Sequence, residues 1–357
     1  MSEPLPSTAP LLAALAIGLS FALAACAPEM EGSGADSDEE GVAVTGAAPT
    51  LDFEAISAML IARMDPQPGE RVLLVGQPGG RWDASIPVLR VGVAAAGAVD
   101  LVAVDVSGLV LPGTDPAEFA AALGTAPEGW PGPLATVDVA VKLPGAVPSP
   151  ELPADVYRAL QDVLRGGSGR TVHFHWAGAT SFGMEELPVD GRVDALYQAA
   201  VLDTDYEALG EMLAAFEAAL RSGPVRVTTP AGTDISFEVG DRPVTRQDGD
   251  ASAARAALAR NLIDREVELP AGAVRVSPLL ETVEGRIAFP PAEWGGERAE
   301  GLVLRFEGGR VGEVVADAGR GGVMGEMEAA GEAGRTFREL AVGFNPLLAI
   351  PEGEEWI

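Results

Sequence analysis

The sequence predicts an α/β N-terminal domain with a parallel sheet, followed by a C-terminal β-rich α+β domain. Three observations carry that expectation. Apolar runs at Arg71–Gly76 and Asp100–Val106 alternate with segments of helical spacing, the pattern of strand-helix-strand units. Beyond residue 224 short alternating runs succeed one another across turn residues, as in Val303–Phe306 and Val311–Val315 about Gly308-Gly309. With 357 residues, 47% of them hydrophobic, the chain can fill one large core or two ordinary ones.

Taken in order, Leu51–Met64 has helical spacing, and Pro68-Gly69-Glu70 turns the chain into the buried-strand run Arg71–Gly76. Ala84–Ala98 reads as a helix, since Pro87 near its start costs no internal hydrogen bond. Asp100–Val106 is a second strand, Pro116–Leu123 a short helix, Thr136–Val141 a third strand, Ala154–Leu164 another helix and Arg170–Ala177 a further strand. In the second half Glu207–Leu220 is a long helix stopped by Ser222-Gly223-Pro224, and Val225–Val239 folds as two alternating strands around a turn.

Residues 1–50 have a different character. Leu11–Ala25 is apolar but shorter than the ~20 residues of a membrane-spanning helix, and it suits a signal-peptide core. It ends in Leu23-Ala24-Ala25-Cys26, which resembles the lipobox of bacterial lipoproteins. Cys26 is the single cysteine, so no intramolecular disulfide competes for it and lipidation explains its presence. The basic flank usual in signal peptides is missing: Glu3 precedes the run and the first Lys or Arg is Arg63. Residues 27–50 are acidic and Gly/Ser-containing, too polar to offset the entropy of ordering, and read as a flexible tether. The expected organisation is a signal peptide over 1–26, a tether over 27–50, an α/β domain over 51–190 and a β-rich domain over 191–357. The expected location is the cell envelope, outside the cytoplasm, with the lipid bilayer as partner through Cys26.

The 53 acidic and 24 basic residues give a net charge of −29, which repels phosphate backbones, and no basic patch argues for nucleic acid. Gly76-Gln-Pro-Gly79-Gly80 follows the first strand but matches neither a dinucleotide fingerprint nor a phosphate loop, and reads as a tight turn. The two histidines, His173 and His175, fall two apart in a strand and so on one face, a geometry a metal could use. No acidic residue nearby in sequence is spaced to complete a ligand set, which favours a hydrogen-bonded pair on the sheet face.

Three segments occur in a recognisable order: Pro230-Ala-Gly-Thr-Asp-Ile-Ser-Phe237 with Arg242 after it, Leu269-Pro-Ala-Gly-Ala-Val-Arg-Val-Ser-Pro278 with Glu281-Thr-Val-Glu-Gly285, and Arg338-Glu-Leu-Ala-Val-Gly-Phe-Asn-Pro346. Together, from about 191 to 346, they resemble the aminopeptidase T family of metallopeptidases, with a looser echo at Gln67–Leu73. The resemblance implies two-metal hydrolysis of peptides with a free N-terminus, using zinc, cobalt or manganese, and is compatible with a homodimer. In that family one ligand is the Glu of a PxGE turn, a position held here by Ala273, and a second is the Glu of an ELxxGxN segment, met here by Glu339. The family's later His and Asp ligands have no counterpart before Ile357, so the 191–357 region reads as either C-terminally truncated or naturally short. Glu268, Glu281 and Glu284 flank the same segment as candidate replacements, although strand alternation does not by itself aim them inward. Two functions are therefore expected to compete: a divergent aminopeptidase with an incomplete metal site, inactive in this form, and a metal-free binding or scaffolding lipoprotein derived from that family.

Overall fold

The computed structural model describes residues 51–76, 80–105, 137–144, 169–176, 191–260 and 263–349. The signal peptide, Cys26, the tether and the helices expected at Pro116–Leu123 and Ala154–Leu164 lie outside the described residues.

Helix α1 (Phe53–Met64) begins where the Asp52 carboxylate accepts the Ala55 N–H at 2.9 Å, satisfying one of the free donors of the first turn. Strand β1 (Arg71–Gly76) follows, then α2 (Ser85–Ala95), β2 (Val99–Asp105), β3 (Val139–Lys142) and β4 (Arg170–Phe174). These strands pair parallel in the order β2-β1-β3-β4, so the N-terminal half is an α/β domain as expected. Val72, Leu74, Val139, Val141, Val172 and Phe174 share one core with Ile56, Leu60, Ile86 and Leu89 of α1 and α2. Near-continuous apolar strands are what a sheet buried on both faces requires.

The second half supplies α3 (Gly191–Leu202), α4 (Tyr206–Leu220), α5 (Ala253–Ala257) and α6 (Arg320–Ala329). Its strands are β5 (Val225–Thr228), β6 (Asp234–Phe237), β7 (Val244–Gln247), β8 (Glu266–Leu269), β9 (Ala273–Val276), β10 (Glu284–Ala288), β11 (Ala292–Trp294), β12 (Glu297–Ala299), β13 (Val303–Glu307), β14 (Arg310–Val315) and β15 (Leu340–Gly343). An antiparallel sheet runs β14-β13-β10-β6-β5, a smaller one β15-β9-β7, and β11 pairs with β12. Alternating burial along β13 and β6 marks sheets with one covered face.

The exception is β8. It pairs parallel with β4, Val172 opposite Val267 and Phe174 opposite Leu269, and so extends the first half's sheet. One strand from beyond residue 190 is thus part of the first half's sheet, where its Val267 and Leu269 are buried. The strand expected over Arg170–Ala177 also ends earlier, at Phe174.

Two polar joins fasten the halves. Arg170, 4% exposed, donates to both Glu70 oxygens at 2.6 and 2.9 Å, to Met64 O at 3.1 Å and to Ala251 O at 2.5 Å. Asp194, buried on α3, accepts from both Arg81 terminal nitrogens at 2.8 and 3.0 Å and from Trp176 Nε1 at 2.7 Å. Trp176 in turn lies 4.9 Å from Trp82 and 5.4 Å from Tyr197, ring to ring. Among the described residues no helix is long and apolar enough to cross a membrane.

Candidate functional site

The motif segments converge, and their shared residues hold the backbone together. Gly272 has φ +131°, and a Cβ there would fall 2.6 Å from Asn345 Cβ, so the chain can pass Asn345 only without a side chain at that position. Its N–H donates to Gln247 O at 2.7 Å and its carbonyl accepts the Phe344 N–H at 2.6 Å. Asn345 Nδ2 donates to Ala271 O at 3.0 Å and Thr204 Oγ1 at 2.9 Å. Gly285, φ +126°, plays a similar part where β10 crosses the Asp234 backbone. The LPAG, GFNP and GTD segments are therefore joints of the fold.

Beside these joints the parallel strands end in polar side chains. Register places Lys142 of β3 opposite His173 of β4, and His173 opposite Glu268 of β8. Adjacent strands lie about 4.8 Å apart, so the three form one row across the sheet. His175 follows past the end of β4, its N–H donating to Leu269 O at 2.7 Å, with its ring 5.9 Å from that of His173. Arg275 reaches in from β9 and donates to Glu268 Oε2 at 2.9 Å. Gln247, 3% exposed, fixes β8 on either side of Val267: its Nε2 donates to Glu266 O at 3.0 Å and its Oε1 accepts the Glu268 N–H at 2.8 Å.

His175 is exposed to solvent. Desolvation pushes the imidazole below its ordinary pKa; Glu268 opposes this, and the nearby charges of Arg275 and Lys142 add to the lowering.

The structure places Ala273 at the first residue of β9, opposite Gly343 of β15 and Gln247 of β7. Glu339 precedes β15, beyond the pair Leu340 and Val276 at the other end of the ladder. It therefore lies four residues along from the position facing Ala273, about 14 Å at ~3.4 Å per residue. Between them, opposite Ala341, stands Arg275. Of the proposed replacements, Glu281 sits in the turn Leu280–Thr282 and Glu284 accepts the Gly308 N–H at 2.8 Å, leaving Glu268 as the carboxylate nearest the histidines.

These residues do not fit a dinuclear metal centre. The expected ligand position Ala273 offers only a methyl group, Glu339 stands about four residues along the strand from it, and the one carboxylate facing a histidine, Glu268, is bound to the Arg275 guanidinium. Among the described residues no group of three or more His, Cys, Asp or Glu side chains is arranged to hold a metal ion. Cys26 lies outside them.

Sequence reasoning singled out His173, His175, Glu268, Ala273 and Glu339 but missed that β8 carries Glu268 to the histidines. It also missed Lys142, Arg275 and Gln247. The available signals were a lysine closing the buried run Val139–Lys142 and an arginine inside the alternating strand Ala273–Val276. Elsewhere, an open groove of about 590 Å³ crosses β6, β10, β13 and β14, lined by Asp234, Arg286 and Arg305. Its charges are largely spent in exposed pairs, Arg226 with Asp234 and Arg305 with Glu313, as on an ordinary solvated sheet face.

No family model and no curated protein sequence matches the chain. Among solved structures, wild-type AmpT from Thermus thermophilus is similar with a TM-score of 0.50 and 18% identity, over 81% of this chain and 78% of that one. The chain has the AmpT fold. A 2,5-dihydroxypyridine dioxygenase from Pseudomonas putida KT2440 also matches, with a TM-score of 0.47 and 14% identity over 78% of this chain and 73% of that one. The resemblance drawn from the three motifs is thus borne out at the level of the fold.

Proposed function

We propose that this chain is a divergent aminopeptidase T-like protein whose metal site is incomplete, so that its cleft binds ligands without hydrolysing peptide bonds. The observation that carries the reading is the Arg275 to Glu268 ion pair at 2.9 Å beside Ala273. A metal ion would have to displace a fixed cation from the carboxylate and find a further ligand where there is only a methyl group. The proposal extends to placement: the chain is exported and held at the cell envelope by lipid on Cys26, and peptides are the natural class of ligand.

Purified chain supplied with zinc, cobalt or manganese is expected to leave leucine anilides intact and to retain less than two equivalents of metal after dialysis. Turnover that disappears in Glu339→Ala, or two tightly held equivalents, would make the chain a working metallopeptidase and end this reading. Labelling with a radioactive fatty acid in a bacterial host is expected to mark the wild type but not Cys26→Ala; equal labelling of both rules out the anchor.

A further inference from the structure

We infer that the carboxyl ends of β3, β4 and β8 form a binding site for a small anion, best suited to a carboxylate, built from Lys142, His173, His175 and Arg275 with Glu268 as an internal competitor. The inference rests on the reading above, in which no metal takes this place.

Position comes first. The strand order β2-β1-β3-β4-β8 reverses direction between β1 and β3, and Lys142, opposite Val75, is the last residue of β3 at that reversal. Ligands of open parallel sheets bind outside the carboxyl ends of the strands at such a switch point. Charge comes second. In a chain of net charge −29, two fixed cations act on one imidazole here, against one carboxylate. Lysine is rarely buried, yet Lys142 is 9% exposed, and local sheet stability would be served better by an apolar residue like its neighbours Val139 and Val141. Shape comes third. The Arg275 side chain is 38% exposed, so its fork is open to a second partner besides Glu268, and a planar guanidinium matches two carboxylate oxygens. His175, exposed past the end of β4, can add a ring N–H donor. Glu268 holds Arg275 in place until an incoming anion shares it.

The test is calorimetric titration of the full chain, treated with EDTA and kept at low salt, with three probes: N-acetyl-leucine, inorganic phosphate and leucinamide. N-acetyl-leucine is expected to bind and leucinamide, which lacks the carboxylate, is not. Phosphate binding more tightly than N-acetyl-leucine would reassign the site to phosphate-bearing ligands and overturn the carboxylate preference. Arg275→Gln is expected to weaken binding roughly 10- to 100-fold, the loss of one charge-assisted bond, with Arg275→Lys intermediate. Lys142→Gln should do likewise, and Arg275→Gln carries the test if the buried variant fails to fold. Glu268→Gln is expected to tighten binding by removing the competitor, an outcome a purely structural ion pair would not give. Binding of leucinamide as strong as that of N-acetyl-leucine, or no heat with either anion, overturns the inference. Two equivalents of metal retained after EDTA would overturn the metal-free reading and this inference with it, whereas metal-free protein that binds neither anion overturns the inference alone.

Discussion

Two arginine-glutamate pairs sit at the two ends of β4 and β8 and have opposite characters. Arg170 with Glu70 is a clamp: 4% and 16% exposed, with two further bonds from the same guanidinium to the backbone carbonyls of Met64 and Ala251. Arg275 with Glu268 is a single contact at 2.9 Å, 38% and 21% exposed, with two histidines and a lysine around it. The same chemistry gives a structural lock where every guanidinium nitrogen is engaged, and a ligand-ready surface where the guanidinium keeps capacity in reserve. Burial and the number of backbone partners make the difference.

The comparison can be broken most sharply by removing each arginine. Arg170→Met is expected to destabilise the fold by about 3–5 kcal/mol in urea unfolding, because it leaves Glu70 and two carbonyls without their donor, whereas Arg275→Met should cost no more than about 1 kcal/mol. Equal losses from the two would erase the distinction. Gln247→Leu comes next: it strands the Glu268 N–H and the Glu266 carbonyl and is expected to cost about 1–3 kcal/mol, with a parallel weakening of N-acetyl-leucine binding as β8 loses its anchor. A stability loss with unchanged binding would detach Gln247 from the site.

The smallest effect is in acid. Burial raises the Glu70 carboxyl pKa, but hydrogen bonds from Arg170 and the Gln67 N–H, with the Arg170 charge, outweigh it and leave the group below its ordinary value. A depressed folded-state pKa means that this stabilisation is complete above the unfolded value near ~4.3 and fades as pH falls through the folded one. Glu70→Gln should flatten that acid limb of a stability profile. An unchanged slope below about pH 4.3 would show that Glu70 is not the titrating group.

Much of the fold was legible because its signals are local. The apolar run of β1, the helical spacing of Leu51–Met64 and the Gly308-Gly309 hairpin of β13 and β14 each depend on residues close in sequence. The motifs were legible too, but as chemistry, whereas Gly272 and Asn345 turn out to be joints. Spacing reveals that residues recur together without revealing whether they touch a ligand or each other. The site was legible only in pieces. Ala273 and Glu339 could be read as inherited positions, and the histidines as a same-face pair, from one strand each.

What the sequence determined by itself is the fold class, with the elements whose signals are local, and that position 273 cannot ligate a metal, since a methyl group cannot do so in any fold. Only the tertiary structure decided that β8 leaves its own half to pair with β4. That pairing brings Glu268 opposite His173, ninety-five positions away in sequence, where Arg275 of β9 reaches it. Strand alternation fixes which face a residue occupies, but the choice of neighbouring strand depends on where apolar area is buried across the whole core, and no local pattern encodes that.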